Sequence, residues 1–148
     1  MYSVVKKFAF LVGVGASTLQ IFPAHAEMLH LLCETHNPVD KTGKGSSLQY
    51  DVDTDRQEIS FVGSSGISGV YRNEDVPGNK VQVVISSRII SIESWNQAAM
   101  SNPPAVVHLE TIIDRNTGHY SSGLFINLKP TGPGDTGTCE KRSVTPKF

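Results

Sequence analysis

One hairpin, Val106 to Leu128, constrains the fold of this chain more than any other stretch of its sequence. Its two arms flank a short polar turn, and in each arm the side chains alternate between two faces with the period of two that is typical of a β-strand. In the second arm one face carries mainly large apolar residues, namely Tyr120, Leu124, Ile126 and Leu128. The pattern predicts two antiparallel strands joined by a tight turn.

The turn itself, residues 114–118, has side chains that suit its geometry. Asp114 can accept hydrogen bonds from the backbone N–H groups that follow it, and Gly118 can adopt the positive φ that closes such a turn. Arg115 and Asn116 are expected to point to water. Because the turn geometry does not require Arg115, this residue is a candidate contact for a partner.

The first 26 residues have the pattern of a signal peptide that is removed on export. Lys6 and Lys7 form a basic start, residues 8–22 are mainly apolar, and Ala24-His25-Ala26 fits an A-x-A cleavage site. The apolar run is too short and too interrupted for a confident membrane span, although an uncleaved anchor is the alternative. We expect residues 27–148 to be a single β domain that is periplasmic or secreted.

This mature part has 122 residues, which is enough for one hydrophobic core. It keeps 11 basic and 14 acidic residues, and its net charge of −3 and scattered basic residues argue against a nucleic-acid partner. Two cysteines, Cys33 and Cys139, lie near its two ends. In an exported protein an even count predicts a disulfide, which would tie the first strand to the last.

Short β-branched runs, separated by turn signals about every ten residues, predict about seven or eight strands. We therefore expect an all-β protein, a small antiparallel β-sandwich or barrel with one disulfide. The only segment with a helical pattern is Ser94 to Ser101, where Ser94 could act as an N-cap and Asn102-Pro103-Pro104 would end the helix.

The motifs of common enzyme and metal sites are incomplete in this sequence. Gly63-Ser64-Ser65-Gly66 lacks the final glycine position of a G-x-S-x-G elbow, because residue 67 is Ile. Asp51, Asp53 and Asp55 resemble the start of a calcium loop, but Arg56 and Val62 occupy the positions of its glycine and glutamate. We expect no catalytic residues, no metal site and no cofactor.

Trp95 is the second candidate for a partner contact. Packing in the core is the simpler interpretation of a tryptophan. An exposed Trp95 beside Ala98-Ala99-Met100 would instead form a binding patch, since tryptophan is common at the energetic centres of interfaces.

The chain resembles a group of small exported bacterial β proteins without an assigned activity, which share an early cysteine, a late cysteine and an Ile-Asp-Arg-x-Thr-Gly hairpin. The matching residues here are Cys33, Cys139 and Ile113 to Gly118. It is also similar to periplasmic lysozyme inhibitors, which have a terminal cysteine clasp and a Ser-Gly-x-x-Tyr loop; here Ser68-Gly69-Val70-Tyr71 is one residue shorter.

These observations leave three functions open. The first is a non-catalytic binding or envelope-associated domain with an unknown protein or envelope component as its partner. The second is an inhibitor of a lysozyme-like hydrolase, and the third is a carrier of a small ligand. The many Val and Ile residues favour a filled interior over the hollow one that a carrier needs.

Overall fold

The computed structural model describes residues 27–39, 45–98 and 104–143. The predicted signal peptide and the last residues of the polar tail, 144–148, lie outside this part of the chain. Within it, every regular element is a β-strand, as predicted. The strands are β1 (Met28–His36), β2 (Ser46–Asp53), β3 (Glu58–Gly63), β4 (Ser68–Arg72), β5 (Glu74–Val76), β6 (Asn79–Ile85), β7 (Ile89–Ala98), β8 (Ala105–Asp114), β9 (His119–Ile126), β10 (Lys129–Pro130) and β11 (Asp135–Lys141).

The strands form one antiparallel sheet that curls into a nearly closed barrel. Its order is β4-β3-β2-β1-β11-β9-β8-β7-β6-β5, with β10 paired to β9. Because β1 pairs with β11, the two ends of the domain lie side by side at its centre. Cys33 and Cys139 are directly opposite each other in this pair and form the predicted disulfide.

Two short strands account for part of the difference between the eleven described strands and the predicted seven or eight. β5 forms at the Pro77-Gly78 turn, where Val76 pairs with Asn79. β10 forms because the second arm of the long hairpin ends at Ile126, and Asn127-Leu128 makes a further two-residue turn. Both turn residues have positive φ, 50° and 64°, which is the pattern of a type I′ turn.

The predicted helix at Ser94 to Ser101 is wrong for its described part, since residues 94–98 belong to β7. Ser94 is buried and does not begin a helix. Pairing of β7 with β8 extends to Ala98 and Ala105, so the sheet overrides the local capping signal. Residues 99–101 lie outside the described residues.

The inner face of the barrel holds the core. Its buried apolar residues are Leu29, Cys33, Tyr50, Val52, Ile59, Val83, Ile90, Ile92, Ile113 and Tyr120. Burial raises the pKa of the Tyr50 hydroxyl far above its ordinary value, and the electrostatic interaction with the neighbouring Tyr120 and the hydrogen bond that Tyr50 donates to it act in the same direction. The filled centre agrees with the many Val and Ile residues of the sequence.

A single bent stretch closes the barrel, because β4 pairs with β3 and β5, which follows it directly, pairs with β6. Beyond the bend, on the side of β6 that faces away from β7, side-chain amides make the hydrogen bonds that a neighbouring strand would otherwise make. Asn73 Oδ1 accepts a hydrogen bond from the Val83 N–H at 2.7 Å. Gln57 Oε1 accepts one from the Ile85 N–H at 3.0 Å, and Gln57 Nε2 donates to the Ile85 carbonyl at 3.4 Å. We call this junction the amide seam.

Candidate functional site

The outer face of β7, β8 and β9 carries a stack of three rings, Trp95, His108 and Phe125, which we call the aromatic row. Alternation puts Trp95 outside because its neighbours Ser94 and Ile92 point inward and are buried. Cross-strand register then places His108 opposite Trp95 and opposite Phe125. The row therefore follows directly from strand pairing.

The rings of the aromatic row pack against one another. Trp95 and His108 are nearly parallel, at an interplanar angle of 2° and a centroid distance of 4.7 Å, and His108 and Phe125 are 5.3 Å apart. On the other side of Trp95, the Lys80 ammonium lies 5.4 Å from the ring centroid, within the range of a cation–π contact. Because the faces are occupied in this way, the row presents mainly ring edges to the surroundings. Those edges carry partial positive charge and favour hydrogen-bond acceptors.

A buried polar atom lies within the row. Within the described residues, His108 Nε2 has no hydrogen-bond partner, and the nearest carboxylate oxygen, Glu93 Oε2, is 3.8 Å away. A buried ring nitrogen that lacks a partner costs free energy, because it has lost its hydrogen bond to water. The site is therefore arranged at some expense to the stability of the fold.

Two carboxylates border the aromatic row. Glu93 and Glu110 face each other directly across β7 and β8 on the same outer face. Like charges in this position repel each other and destabilise a sheet. A cation brought in by a partner would relieve the repulsion.

A shallow cavity of about 440 Å³ adjoins Trp95 at the tip of the β5–β6 hairpin. Its walls combine apolar residues with amide and charged groups, including Val76, Lys80, Asn96 and Gln97. A partner that covers the aromatic row has room here for a side chain.

Other exposed apolar residues on the outer face do not form a comparable group. Val62, Val70 and Val84 are 38–50% exposed. Their direct cross-strand neighbours are polar, namely Gln49, Ser68, Ser60 and Ser91. Isolated exposed residues of this kind are normal on soluble proteins.

Arg115 does not extend into water as expected. Its side chain is 22% exposed, and its guanidinium donates to the Ser86 carbonyl at 2.5 Å and approaches Glu27 Oε2 at 3.5 Å. It lies at the end of the barrel, in the turn after β8, and the structure does not bring it together with Trp95. The expectation for Asn116, which is exposed, is confirmed.

Several residues that drew attention in the sequence have structural contacts. Asp114 Oδ1 accepts from the N–H groups of Asn116 and Thr117, and these backbone bonds lower the pKa of its carboxyl group. Asp53 Oδ1 caps its own turn in the same way, at the N–H groups of Asp55 and Arg56.

The Ser68-Gly69-Val70-Tyr71 stretch lies in strand β4, at the edge of the bend that closes the barrel. Tyr71 turns toward the core and stacks on Phe61 at a centroid distance of 5.1 Å. Burial raises the pKa of its hydroxyl. These four residues are therefore part of the sheet, with the tyrosine packed inward.

Sequence reasoning found Trp95 but missed His108, Phe125 and Lys80. The pairing of His108 with Phe125 could have been found by counting outward from the Ile113–Tyr120 pair next to the turn. The sequence does not predict the register of β7 on β8, because the residues that connect the two strands do not form a recognisable turn motif.

Among the described residues, no group of three or more His, Cys, Asp or Glu side chains is placed to hold a metal ion. The same part of the chain contains no helix that is long and apolar enough to cross a membrane. No protein-family model, no curated protein and no solved structure matches this chain.

Proposed function

We propose that the chain is an exported, non-catalytic binding domain that contacts a protein of the cell envelope through the aromatic row. One observation carries the proposal: three rings are gathered on the outside of a barrel that already has a complete core within. Grouped aromatic rings on an outer surface are characteristic of interfaces, and tryptophan is prominent among the residues that dominate binding energy.

The chemistry of the surface indicates what the partner presents. The ring edges favour carbonyl or hydroxyl acceptors, and the opposed Glu93 and Glu110 favour a cation. A polypeptide segment with an exposed backbone and a lysine or arginine side chain meets both requirements. Such a partner would place its cation over the carboxylates and its backbone against the row.

Export is supported by the signal-peptide pattern of residues 1–26 and by the disulfide, which forms in oxidising compartments. The non-catalytic assignment is supported by the structural contacts of two carboxylates of the calcium-loop resemblance, since Asp51 hydrogen-bonds to His30 and Asp53 caps its own turn. Mass spectrometry of protein from the periplasmic fraction is expected to show a chain that begins at Glu27. A full-length chain in the cytoplasm would contradict export.

A crosslinking pull-down from envelope extract tests the binding surface. The wild-type domain is compared with Trp95→Ser and with Val62→Ser, a control that removes an exposed apolar residue on the outer face of β3. We expect the tryptophan variant to lose a partner that the valine variant retains, and high salt to weaken the capture. Equal capture by all three proteins would contradict the proposal.

An activity assay separates this function from hydrolase inhibition. We expect a molar excess of the mature protein to leave lysozyme activity unchanged. Stoichiometric inhibition would favour the inhibitor alternative over the proposal.

A further inference from the structure

The end of the barrel that holds the Asp114 turn contains a cavity of about 350 Å³, within the size range of small-ligand sites. Much of its wall is apolar, from Leu29, Leu31, Ile90, Ile113 and Cys139. Two cationic side chains, Arg115 and Lys141, also line it, together with Asp114, whose carboxylate accepts hydrogen bonds from the backbone of its own turn. The cavity is separate from the aromatic row, which lies on the outer face.

The two cations share one carboxylate of the chain itself. Lys141 Nζ lies 2.7 Å from Glu27 Oε1, and an Arg115 nitrogen lies 3.5 Å from Glu27 Oε2. The hydrogen bond from Lys141, together with the charges of both cations, lowers the pKa of the Glu27 carboxyl group. Each oxygen of the Glu27 carboxylate thus faces a different cation. The pair of cationic side chains is therefore arranged to bind a carboxylate.

Arg115 is held in place independently of Glu27, whereas the Glu27 carboxylate can leave. The bond from Arg115 to the Ser86 carbonyl fixes the guanidinium independently of Glu27. The backbone of Glu27 is held by Thr54, but its side chain is 47% exposed and stands at the entry to β1. Rotation of this side chain into water would free the two cations without disturbing the sheet.

We propose that this end of the barrel binds a small carboxylate with an apolar tail, and that Glu27 is its internal competitor. The ligand carboxylate replaces that of Glu27 between Arg115 and Lys141. The tail enters the cavity against Leu31 and Ile113. Neutral molecules of the same length lack the charge that this pair recognises.

Calorimetric titration of the mature protein with octanoate tests the proposal, with octanamide as the neutral control. Glu27→Gln removes the competing charge and is expected to raise octanoate affinity by up to roughly fivefold, the scale set by exposed ion pairs. Adding Lys141→Gln to that variant is expected to abolish the gain. Lys141 suits this purpose because its side chain is 65% exposed and its removal leaves the core intact.

Methyl NMR of the same samples locates the ligand independently of affinity. Octanoate is expected to shift the methyl signals of Leu31 and Ile113, with no change at the indole of Trp95. The proposal is overturned if Glu27→Gln binds octanoate no more tightly than the wild type, if octanamide binds equally well, or if the shifts appear at the aromatic row. None of these results would affect the proposed partner surface, which is tested by Trp95→Ser.

Discussion

Shortening Gln57 to Asn should open the amide seam without disturbing the rest of the barrel. Gln57 has a φ of 51°, a conformation that asparagine tolerates better than most residues. The change therefore adds no conformational strain to the backbone of the turn. The asparagine amide is one methylene shorter, so it cannot reach Ile85, and both hydrogen bonds across the seam are lost.

The two bonds to Ile85 set the lower bound of the expected cost, because Gln57 Nε2 also donates to the Thr54 carbonyl at 2.9 Å within its own turn. A neutral hydrogen bond contributes about 0.5–1.5 kcal/mol, so the loss amounts to roughly 1–3 kcal/mol in the free energy of unfolding. For a domain of this size, that corresponds to a fall in Tm of roughly 5–10 °C. Arg56→Ala is the matched control in the same turn. The Arg56 side chain is 78% exposed and its ion pair with Asp53 is 3.8 Å long, so the change should cost less than about 0.5 kcal/mol.

Urea unfolding measures the stability, and amide hydrogen exchange measures the seam itself. In Gln57→Asn the Ile85 amide should exchange faster, whereas the Val83 amide, held by Asn73, should change less. If Ile85 stays as protected as in the wild type, or if both variants lose the same stability, the side-chain amides do not close the barrel and the reasoning is wrong.

Three further predictions concern the disulfide, the Asp114 turn and the buried Tyr50. Cys33→Ser should lower Tm as much as reduction of the wild type, because the bridge to Cys139 spans 106 residues and contributes up to about 4–5 kcal/mol in the chain-entropy model; an unchanged Tm on reduction would count against it. Gly118→Val should destabilise more than Arg115→Ala in urea, since φ at Gly118 is 73° and a Cβ there would lie 2.5 Å from the Cys139 carbonyl oxygen. Stability should fall as pH rises above about 10, because the unfolded chain then loses the Tyr50 proton that the fold retains; a flat pH profile from 9 to 11 would contradict this.

Local chemistry was enough to predict much of the fold. The Asp114 turn and the alternating arms of the long hairpin depend on residues whose preferences do not need distant partners, and the disulfide was predicted from the even count of cysteines. The count of strands was too low in part because β5 and β10 are only three and two residues long. The helix at Ser94 was wrong because pairing with β8 outweighs a capping signal.

The candidate site was harder to predict, because it depends on register between strands. Trp95 was identified from its residue type alone. Its place in the aromatic row depends on His108 and Phe125, which lie in line with it only because of cross-strand pairing. Arg115 was identified because its turn does not require it. Its contacts with Ser86 and Glu27 lie 29 and 88 residues away in sequence, a distance at which spacing carries no signal.

Site-specific photo-crosslinking tests the proposed partner surface most directly. A photoreactive amino acid replaces Gln82, an exposed residue on the outer face beside the aromatic row, or Gln49, which is also exposed, on the outer face of β2. After irradiation in intact cells, we expect a discrete crosslinked partner from position 82 that is absent from position 49 and is lost when Trp95→Ser is added. A partner crosslinked from position 49 alone, or one from position 82 that survives Trp95→Ser, would contradict the assignment of the aromatic row as the binding surface.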